Sequence, residues 1–140
     1  MVIPIKKLVP NAMVPKMMRF GDAGFDLYAV SSCVIKPGST TAISTGLAVA
    51  IPPGYVGLIW DRSGLAIKSS LKTMGGVIDS NYRGEVMVGL TNLSTAEHVV
   101  SAGDRVAQML IQKVEVADFL EVDTLNESDR GTQGFGSSGK

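Results

Sequence analysis

Residues 46–60 read GLAVAIPPGYVGLIW, which is two β-type runs on either side of Pro52-Pro53-Gly54. A proline followed by a glycine predicts a tight turn, because proline presets φ and glycine accepts a positive φ. Short runs of the same type continue in both directions, separated by Gly, Pro and Ser at a spacing of roughly 8–12 residues. This spacing predicts an all-β sandwich or barrel, formed as one domain by the 140 residues.

Ten runs are candidate strands and one is a candidate helix. The strands are VIPIKKL (2–8), GFDLYAV (24–30), CVIK (33–36), TTAIS (40–44), GLAVAI (46–51), YVGLIW (55–60), GGVID (75–79), EVMVGLTNL (85–93), HVV (98–100) and RVAQMLIQKVEVADFLEV (105–122). The only plausible helix is LAIKSSLK (65–72), and it is short. We predict that residues 1–124 form the β domain and that residues 125–140 form a flexible tail.

The run RVAQMLIQKV has apolar residues on both faces. Val106 and Leu110 are expected on one face, and Ala107, Met109 and Ile111 on the other. A strand that is apolar on both sides is buried on both sides. Its second side is covered either by a neighbouring subunit or by the centre of the domain's own sandwich, and the pattern does not choose between them.

The composition excludes several kinds of site. Basic and acidic side chains number thirteen each, so the chain has no general attraction for nucleic acid or an anionic membrane. Cys33 is the single cysteine and His98 the single histidine, which excludes an internal disulfide and a zinc cluster. A metal would have to be held by carboxylates, water and substrate phosphates, which favours magnesium. No signal peptide or apolar run of about 18 residues is visible, so we predict a soluble, cytoplasmic protein.

Residues 130–140, RGTQGFGSSGK, have no apolar face that could order them on a fold, so their default is mobility. One arginine, four glycines, two serines and an aromatic ring are also groups that could close over a phosphorylated base. The segment is therefore either a solvated tail or a lid that becomes ordered on a nucleotide.

Two polar groups interrupt apolar runs in the first half of the chain. Asp26 lies inside AGFDLYA (23–29), where an unpaired carboxylate would be costly, so it either caps a neighbouring turn or faces a cation or a sugar hydroxyl. In WDRSGLA (60–66), Arg62, the Ser63 hydroxyl and the amides of Ser63 and Gly64 form a candidate anion site. Ser63 could also cap the helix that follows.

Two more polar groups lie in the second half. The stretch GGVIDSNYRGEV (75–86) reads as a β-hairpin with a turn around Ser80-Asn81. A carboxylate held at Asp79 could align a water and accept its proton, with geometry mattering more than basicity, or it could simply form an Asx turn. In GDRVAQM (103–109), Asp104 and Arg105 are expected to pair, and Gln108 to reach a neighbouring site.

Taken in order, AGFDLYA, DRSGLA, GGVIDSNYRGEV, GDRVAQM and RGTQGFGSSG resemble the five motifs of the trimeric dUTP pyrophosphatase (dUTPase) family. The resemblance spans about residues 4–139 and departs from the family pattern at Asp61, Asn81 and Gln133. It implies a jelly-roll-like β domain, a homotrimer with active sites between subunits, and a tail (125–140) that is a lid over a neighbouring active site. It also implies attack of water on the α-phosphorus of dUTP, with magnesium bridging the phosphates. The products would be dUMP and pyrophosphate, which keeps uracil out of DNA and supplies dUMP for dTMP synthesis.

The resemblance further implies a role for each matching residue. Asp79 would activate the water, Arg130 would clamp the γ-phosphate, and Asp26 would hold magnesium through water. The other phosphate contacts would be Arg62, Ser63, Gly64, Gln108, Gly136, Ser137 and Ser138. The base and sugar contacts would be the backbone of Gly76, Val77 and Ile78 on uracil, Phe135 stacked on uracil, Thr73 and Met87 flanking that pocket, and Tyr82 under the deoxyribose.

Two other functions fit the same fold. A dCTP deaminase would share it but tends to lack the stacking tail and the hairpin tyrosine, so Tyr82 and Phe135 argue against this enzyme. A non-catalytic nucleotide-binding regulator is opposed by the presence of Asp79 and Arg130. Release of ammonia from dCTP would distinguish the deaminase.

Overall fold

The computed structural model describes residues 1–134, which form eleven strands and one helix. In chain order these are β1 (Ile5–Lys7), β2 (Phe25–Tyr28), β3 (Cys33–Ile35), β4 (Thr40–Ser44), β5 (Leu47–Val49), β6 (Tyr55–Trp60), α1 (Ser63–Ser69), β7 (Leu71–Met74), β8 (Val77–Ile78), β9 (Met87–Asn92), β10 (His98–Val100) and β11 (Arg105–Lys113). The predicted all-β class with one short helix is confirmed. The predicted contacts at Phe135, Gly136, Ser137 and Ser138 lie outside the described residues.

The strands pair into four antiparallel sheets. Their strand orders are β2-β11-β6-β8, β4-β9-β7, β1-β5 and β10-β3. Partners are distant in the chain, since β2 pairs with β11 and β1 with β5. No sheet closes on itself within residues 1–134, so the barrel alternative is wrong for this part of the chain.

One apolar core joins these sheets. It takes buried side chains from strands of every sheet, among them Leu27, Ile35, Val49, Leu90 and Val106. Along β9, buried and less buried residues alternate, as expected for a strand that packs one face on a core. The spacing of apolar residues in the sequence therefore translates directly into the inner faces of the sheets.

The run along β11 contains a bulge that the sequence pattern did not indicate. Its register against β2 shifts between Arg105 and Ala107, and Val106 and Ala107 are both buried. The extra residue in the bulged strand interrupts the alternation of faces. The expectation that Val106 shares a face with Leu110 is therefore wrong.

Beyond the bulge, β11 alternates regularly. Met109 points into the core, whereas Leu110 lies opposite Leu58 of β6 and Gln112 lies opposite Val56. Val56, Leu58 and Leu110 are half-buried in this chain, and we call them the outer apolar face. The second side of β11 is therefore not the centre of the domain's own core.

The predicted helix is shifted toward the N-terminus. Helix α1 ends at Ser69 because Ser70 takes a left-handed conformation at φ 52 and its N–H bonds Leu65 O. Leu71 then starts a strand that sequence analysis missed, pairing with Asn92 of β9. Leu71 is buried in the core, so tertiary packing overrides the local helical pattern.

Two strand predictions also need correction. The stretch 75–86 is not a two-stranded hairpin, because β8 pairs with β6 and no strand covers residues 79–86. The long run 105–122 ends as a strand at Lys113. Val116 is 90% exposed and Leu120 is 86% exposed, so the described residues offer this segment no strand to pair with.

Among residues 1–134, no helix has the length and apolar character needed to cross a membrane.

Candidate active site

A polar cleft of about 680 Å³ opens where β2, β11 and the end of β6 meet. Its lining includes Asp26, Arg62, Ser63, Gly64, Arg105 and Gln108. Asp26 of β2 lies directly opposite Gln108 of β11, and Gln108 lies opposite Trp60 of β6. Strand pairing therefore brings together three motifs that are far apart in the sequence. We call this group the anion cleft.

Asp26 is held by two arginines. Arg62 Nε donates to Asp26 Oδ1 at 3.0 Å, and Arg105 Nη1 donates to Asp26 Oδ2 at 3.3 Å. The residue is only 8% exposed, so these charge-assisted bonds offset the cost of burying its carboxylate. We predicted that Asp26 either caps a turn or faces a cation or a sugar hydroxyl. In the structure it faces cations, and these are the guanidinium groups of Arg62 and Arg105.

Arg105 does not form the expected pair with Asp104. The Asp104 carboxylate instead accepts the Ser101 N–H at 2.8 Å and closes a local turn. Arg105 faces the anion cleft and its backbone oxygen accepts Arg62 Nη1 at 3.3 Å. The Arg62 guanidinium is thus fixed from two sides, while its Nη2 group has no partner among the described residues.

Ser63 begins α1 but does not cap it. The residue in the cap position is Arg62, and no side chain makes a cap hydrogen bond there. Ser63 and Gly64 are exposed and line the anion cleft. The capping alternative is therefore wrong, and the Ser63 hydroxyl is available to a ligand.

Asp61 is a structural residue that the sequence motifs flagged only as a departure. Its Oδ1 accepts both the Thr73 N–H and the Thr73 hydroxyl at 2.7 Å, and its Oδ2 accepts Lys72 Nζ at 2.6 Å. Its backbone oxygen accepts Gln108 Nε2 at 2.9 Å. Asp61 therefore ties the end of β6 to the edge of β7 and orients Gln108.

These contacts also set the protonation of Asp61. Partial burial by itself raises the pKa of the Asp61 carboxyl. Hydrogen bonds from Lys72 and Thr73, with the charge of Lys72, lower it by more, so the pKa lies below its ordinary value. Asp61 is the anion that neutralises Lys72 and holds the strand edge.

A second group of predicted residues lies on β8 and the turn after it. Gly76 has φ 104, and a Cβ there would lie 2.8 Å from the backbone oxygen of Ile59, so only glycine fits. Asp79 is exposed, and the described residues offer its carboxylate no hydrogen bond. Tyr82 N–H donates to Asp79 O at 3.1 Å and closes the turn. The expectation that the Asp79 carboxylate is held is therefore wrong within one chain.

Two residues expected beside this group differ in exposure. Met87, the first residue of β9, is 38% exposed and open to a ligand. Thr73 is 9% exposed, and its hydroxyl is committed to Asp61. Thr73 therefore contributes to the strand edge that Asp61 holds, rather than presenting its hydroxyl to a base.

The anion cleft and the predicted residues on and around β8 lie far apart within one chain. None of residues 73–87 lines the anion cleft. Ile78 lies opposite Gly57, so Asp79 continues beside Val56, which is six residues before Arg62. That separation is roughly 15–20 Å along an extended chain. A general base must come within about 3 Å of the proton it takes, so one chain does not bring the two groups to one reacting atom.

Arg130, in the tail, is the last of the predicted site residues that the structure describes. Arg130 is exposed, and its Nη2 donates to Gly134 O at 2.7 Å within the tail itself. Residues 114–134 contain no strand or helix. Within the described residues Arg130 therefore reaches neither the anion cleft nor Asp79.

Comparison with known proteins shows the same likeness along the whole chain. A family model described as dUTPase matches residues 10–139. The deoxyuridine 5′-triphosphate nucleotidohydrolase of Corynebacterium diphtheriae is 45% identical over 141 residues, which is 99% of this chain and 93% of that protein. The enzyme of the same name from Rhodococcus erythropolis is 47% identical over 140 residues, or 98% of this chain and 85% of that protein.

Solved structures agree with these relatives. A mutant dUTPase of Staphylococcus bacteriophage 80alpha, bound to dUpNHpp, superposes with a TM-score of 0.93 at 28% identity and covers 99% of both chains. A mutant dUTPase from phage phi11 of S. aureus, described with a structural Mg(II) ion, has a TM-score of 0.81 at 27% identity. It covers 88% of this chain and 97% of that one.

Proposed function

Because this chain belongs to the dUTPase family, we propose that it hydrolyses dUTP to dUMP and pyrophosphate by attack of water on the α-phosphorus. The observation that carries the proposal is the match of nearly the whole chain to relatives named deoxyuridine triphosphate nucleotidohydrolases. In a cell this reaction keeps uracil out of DNA and supplies dUMP for dTMP synthesis.

In this proposal the anion cleft binds the triphosphate. Arg62, Ser63, Gly64 and Gln108 donate to phosphate oxygens. The ion pair with Asp26 supports this role for Arg62, since a guanidinium already fixed at 3.0 Å loses little freedom when a phosphate arrives. Hydrolysis of a phosphoanhydride needs positioning and charge neutralisation more than covalent help, and the cleft supplies both.

Strand β8, with Gly76 before it and the turn after it, binds the nucleoside and the water. Gly76, Val77 and Ile78 present backbone groups to uracil, Met87 and Thr73 flank them, and the Tyr82 ring lies under the deoxyribose. Asp79 holds the attacking water and accepts its proton. The exposure of its carboxylate supports this role, because no described side chain competes for its oxygens.

Magnesium fits this chain only as a partner of the substrate. Both oxygens of Asp26 already accept arginine donors, and residues 1–134 contain no cluster of three or more His, Cys, Asp or Glu. A carboxylate keeps further lone pairs, so Asp26 could accept hydrogen bonds from metal-bound water while phosphates supply the main ligands. When bound, the ion would neutralise triphosphate charge.

We further propose that the protein is a homotrimer of jelly-roll-like subunits with active sites between them. The separation of Asp79 from Arg62 supports this, because a second copy could bring its own Arg62 to the first copy's Asp79. The half-buried outer apolar face on β6 and β11 offers a surface for that copy. Residues 1–124 are then the β domain, and residues 125–140 the lid of another subunit's site.

The lid supplies the remaining contacts in this proposal. Arg130 clamps the γ-phosphate, Phe135 stacks on uracil, and Gly136, Ser137 and Ser138 donate to phosphates. The exposure of Arg130 and its lack of contact with its own chain's cleft support a role outside its own subunit.

A substrate panel tests the proposed function. We expect pyrophosphate release from dUTP with magnesium, strong loss with EDTA, and little release from dCTP, dTTP, dATP, dGTP or UTP. Ammonia released from dCTP would instead indicate a deaminase. Binding of dUTP without turnover would indicate a nucleotide-binding regulator.

A further inference from the structure

Gly84 lies directly beneath the ring of Tyr82. A Cβ added at Gly84 would lie 2.5 Å from Tyr82 Oη, 2.7 Å from Cζ and 3.0 Å from Cε2, and these are its three nearest atoms. We propose that Gly84 is a positioning residue that sets the place of the Tyr82 ring and thereby the preference for deoxyribose over ribose triphosphates. This inference rests on the proposed function, in which that ring lies under the sugar.

The ring is also held by its hydroxyl, and hydrogen bonds close the turn that carries it. Tyr82 Oη donates to Glu85 O at 2.8 Å, and Tyr82 N–H donates to Asp79 O at 3.1 Å. Arg83 Nη1 donates to Ser80 O at 2.8 Å and to Tyr82 O at 2.7 Å. The ring therefore lies against Gly84 in a turn that is closed by four hydrogen bonds.

Glu85 anchors this turn to the body of the domain. Its carboxylate accepts the Gly46 N–H at 2.7 Å and also bonds the Ser44 hydroxyl. Val86 N–H donates to Leu47 O at 2.7 Å. The residues after Gly84 are therefore tied to β4 and β5, and the residues before it are closed on the turn by the bonds to Asp79 O and Ser80 O. Because the backbone is restrained in this way, an added methyl group is accommodated by movement of the ring.

Gly84 has no backbone reason to be glycine. It is not among the glycines with positive φ, so its φ does not require glycine. The three nearest atoms that an added Cβ would meet all belong to the Tyr82 ring. The absence of a side chain at position 84 therefore serves the position of the ring rather than the shape of the turn.

The ring position matters because ribose differs from deoxyribose by one hydroxyl. Steric rejection of one extra hydroxyl by a close-fitting apolar surface is worth on the order of 10²-fold in kcat/KM. An alanine at position 84 displaces the ring and breaks the Oη bond to Glu85, so the fit under the sugar is lost. We expect Gly84→Ala to lower the ratio of kcat/KM for dUTP to kcat/KM for UTP by about tenfold, which is part of the discrimination that the close fit provides.

A double-mutant cycle tests this inference. Wild type, Gly84→Ala, Tyr82→Ala and the double variant are each assayed with dUTP and UTP, after thermal melting confirms that they are folded. If Gly84 acts through the ring, Gly84→Ala lowers the dUTP/UTP ratio in the wild-type background and leaves it unchanged in the Tyr82→Ala background. Tyr82→Ala is therefore the matched control, because the added methyl then meets no ring.

The outcomes separate this inference from the proposed function. A wild-type protein that does not hydrolyse dUTP overturns the proposed function, and this inference with it. An active wild type whose dUTP/UTP ratio is unchanged by Gly84→Ala overturns only the role of Gly84. An equal drop in the Tyr82→Ala background shows that Gly84 does not act through the ring and also overturns it.

Discussion

Three aspartates of this chain have similar sequence surroundings but different chemistry. Asp26 is buried between two arginines, and Asp61 is half-buried between Lys72 and Thr73. Asp79 is exposed at the end of β8, and the described residues leave its carboxylate unbonded. The first two carboxylates are committed to the fold. Asp79 is therefore the one of the three whose two oxygens both remain without a described partner, which suits it to hold the attacking water in the proposed function.

Asp79→Asn tests the assignment of the general base. Removing a positioned base costs about 10²–10⁴-fold in kcat, because the amide no longer accepts a proton from water. Asp79 makes no side-chain hydrogen bond in the described part of the chain, so the melting temperature should not change. Steady-state kinetics and calorimetry measure both quantities. Turnover near the wild-type value would remove Asp79 from this role.

Asp61→Asn tests the lowered pKa of Asp61. A carboxyl whose pKa is depressed by folding stabilises the native state above its unfolded pKa, near ~3.9, and loses this contribution as pH falls through the native value. The variant lacks that contribution, so it should melt below wild type at pH 6. The difference should shrink as pH is lowered toward 3.

Thermal melts of both proteins between pH 6 and pH 3 measure this change. Asp118→Asn is the matched control, since Asp118 is exposed and forms no salt bridge among the described residues. A stability gap between Asp61→Asn and wild type that stayed constant with pH would show that the Asp61 charge does not contribute.

At the scale of elements, the chain divides after β11. All the described strands end by Lys113, whereas residues 114–134 expose Phe119 at 102% and Leu120 at 86%. Side chains of this type are exposed in one chain either because they wait for a partner or because the segment is unfolded in solution. Phe119 and Leu120 precede the proposed lid, residues 125–140, and lie in the segment that joins it to β11.

Deletion of residues 127–140 tests the lid. The described residues of this segment bury no side chain in the core, so the melting temperature should stay within a few degrees of wild type. An arginine supplied by another chain is worth about 10³–10⁵ in rate in other phosphoryl-transfer enzymes, so hydrolysis should fall steeply. A loss of less than tenfold would contradict the lid, and Arg130→Gln in the full chain shows how much of the loss is due to that residue.

Considered as a whole molecule, one chain carries two separate groups of proposed site residues, which we call half-sites. Strand β6 carries the anion cleft at its end, and β8 places Asp79 beside its beginning. Both half-sites depend on the same strand, so no loop movement within one chain brings them together without breaking the sheet. In the homotrimer that we propose, association of copies through the outer apolar face would complete a site.

Mixed oligomers test this arrangement directly. Asp79→Asn and Arg62→Gln chains are each expected to be nearly inactive. If each site takes Asp79 from one chain and Arg62 from another, random 1:1 mixing restores about one quarter of wild-type activity. If both residues come from the same chain, mixing restores none. Asp79→Asn mixed with the chain lacking residues 127–140 repeats the test with a deletion outside the sheets.

The sequence predicted strands correctly where the residues of the strand itself determine its structure. TTAIS, YVGLIW and HVV match β4, β6 and β10 to the residue. Prediction failed where a distant partner decides: β7 pairs with β9, and β11 changes register at a bulge against β2. The same holds for the candidate site. The motifs showed which types of residue it contains, but they did not show the partners of Asp26 and Asp61.

The amino-acid sequence alone was enough to predict the all-β class, to show the motifs with their carboxylates, arginines and glycines, and to exclude an internal disulfide and a zinc cluster. These properties follow from composition, from alternation and from the φ preferences of proline and glycine, which act over a few residues. The folded chain was needed to show that Arg62 and Arg105 share Asp26, that Asp61 holds β7, and that Asp79 lies apart from the anion cleft. These depend on which strands pair across many tens of residues, and that choice is made by the packing of the whole core rather than by any segment of it.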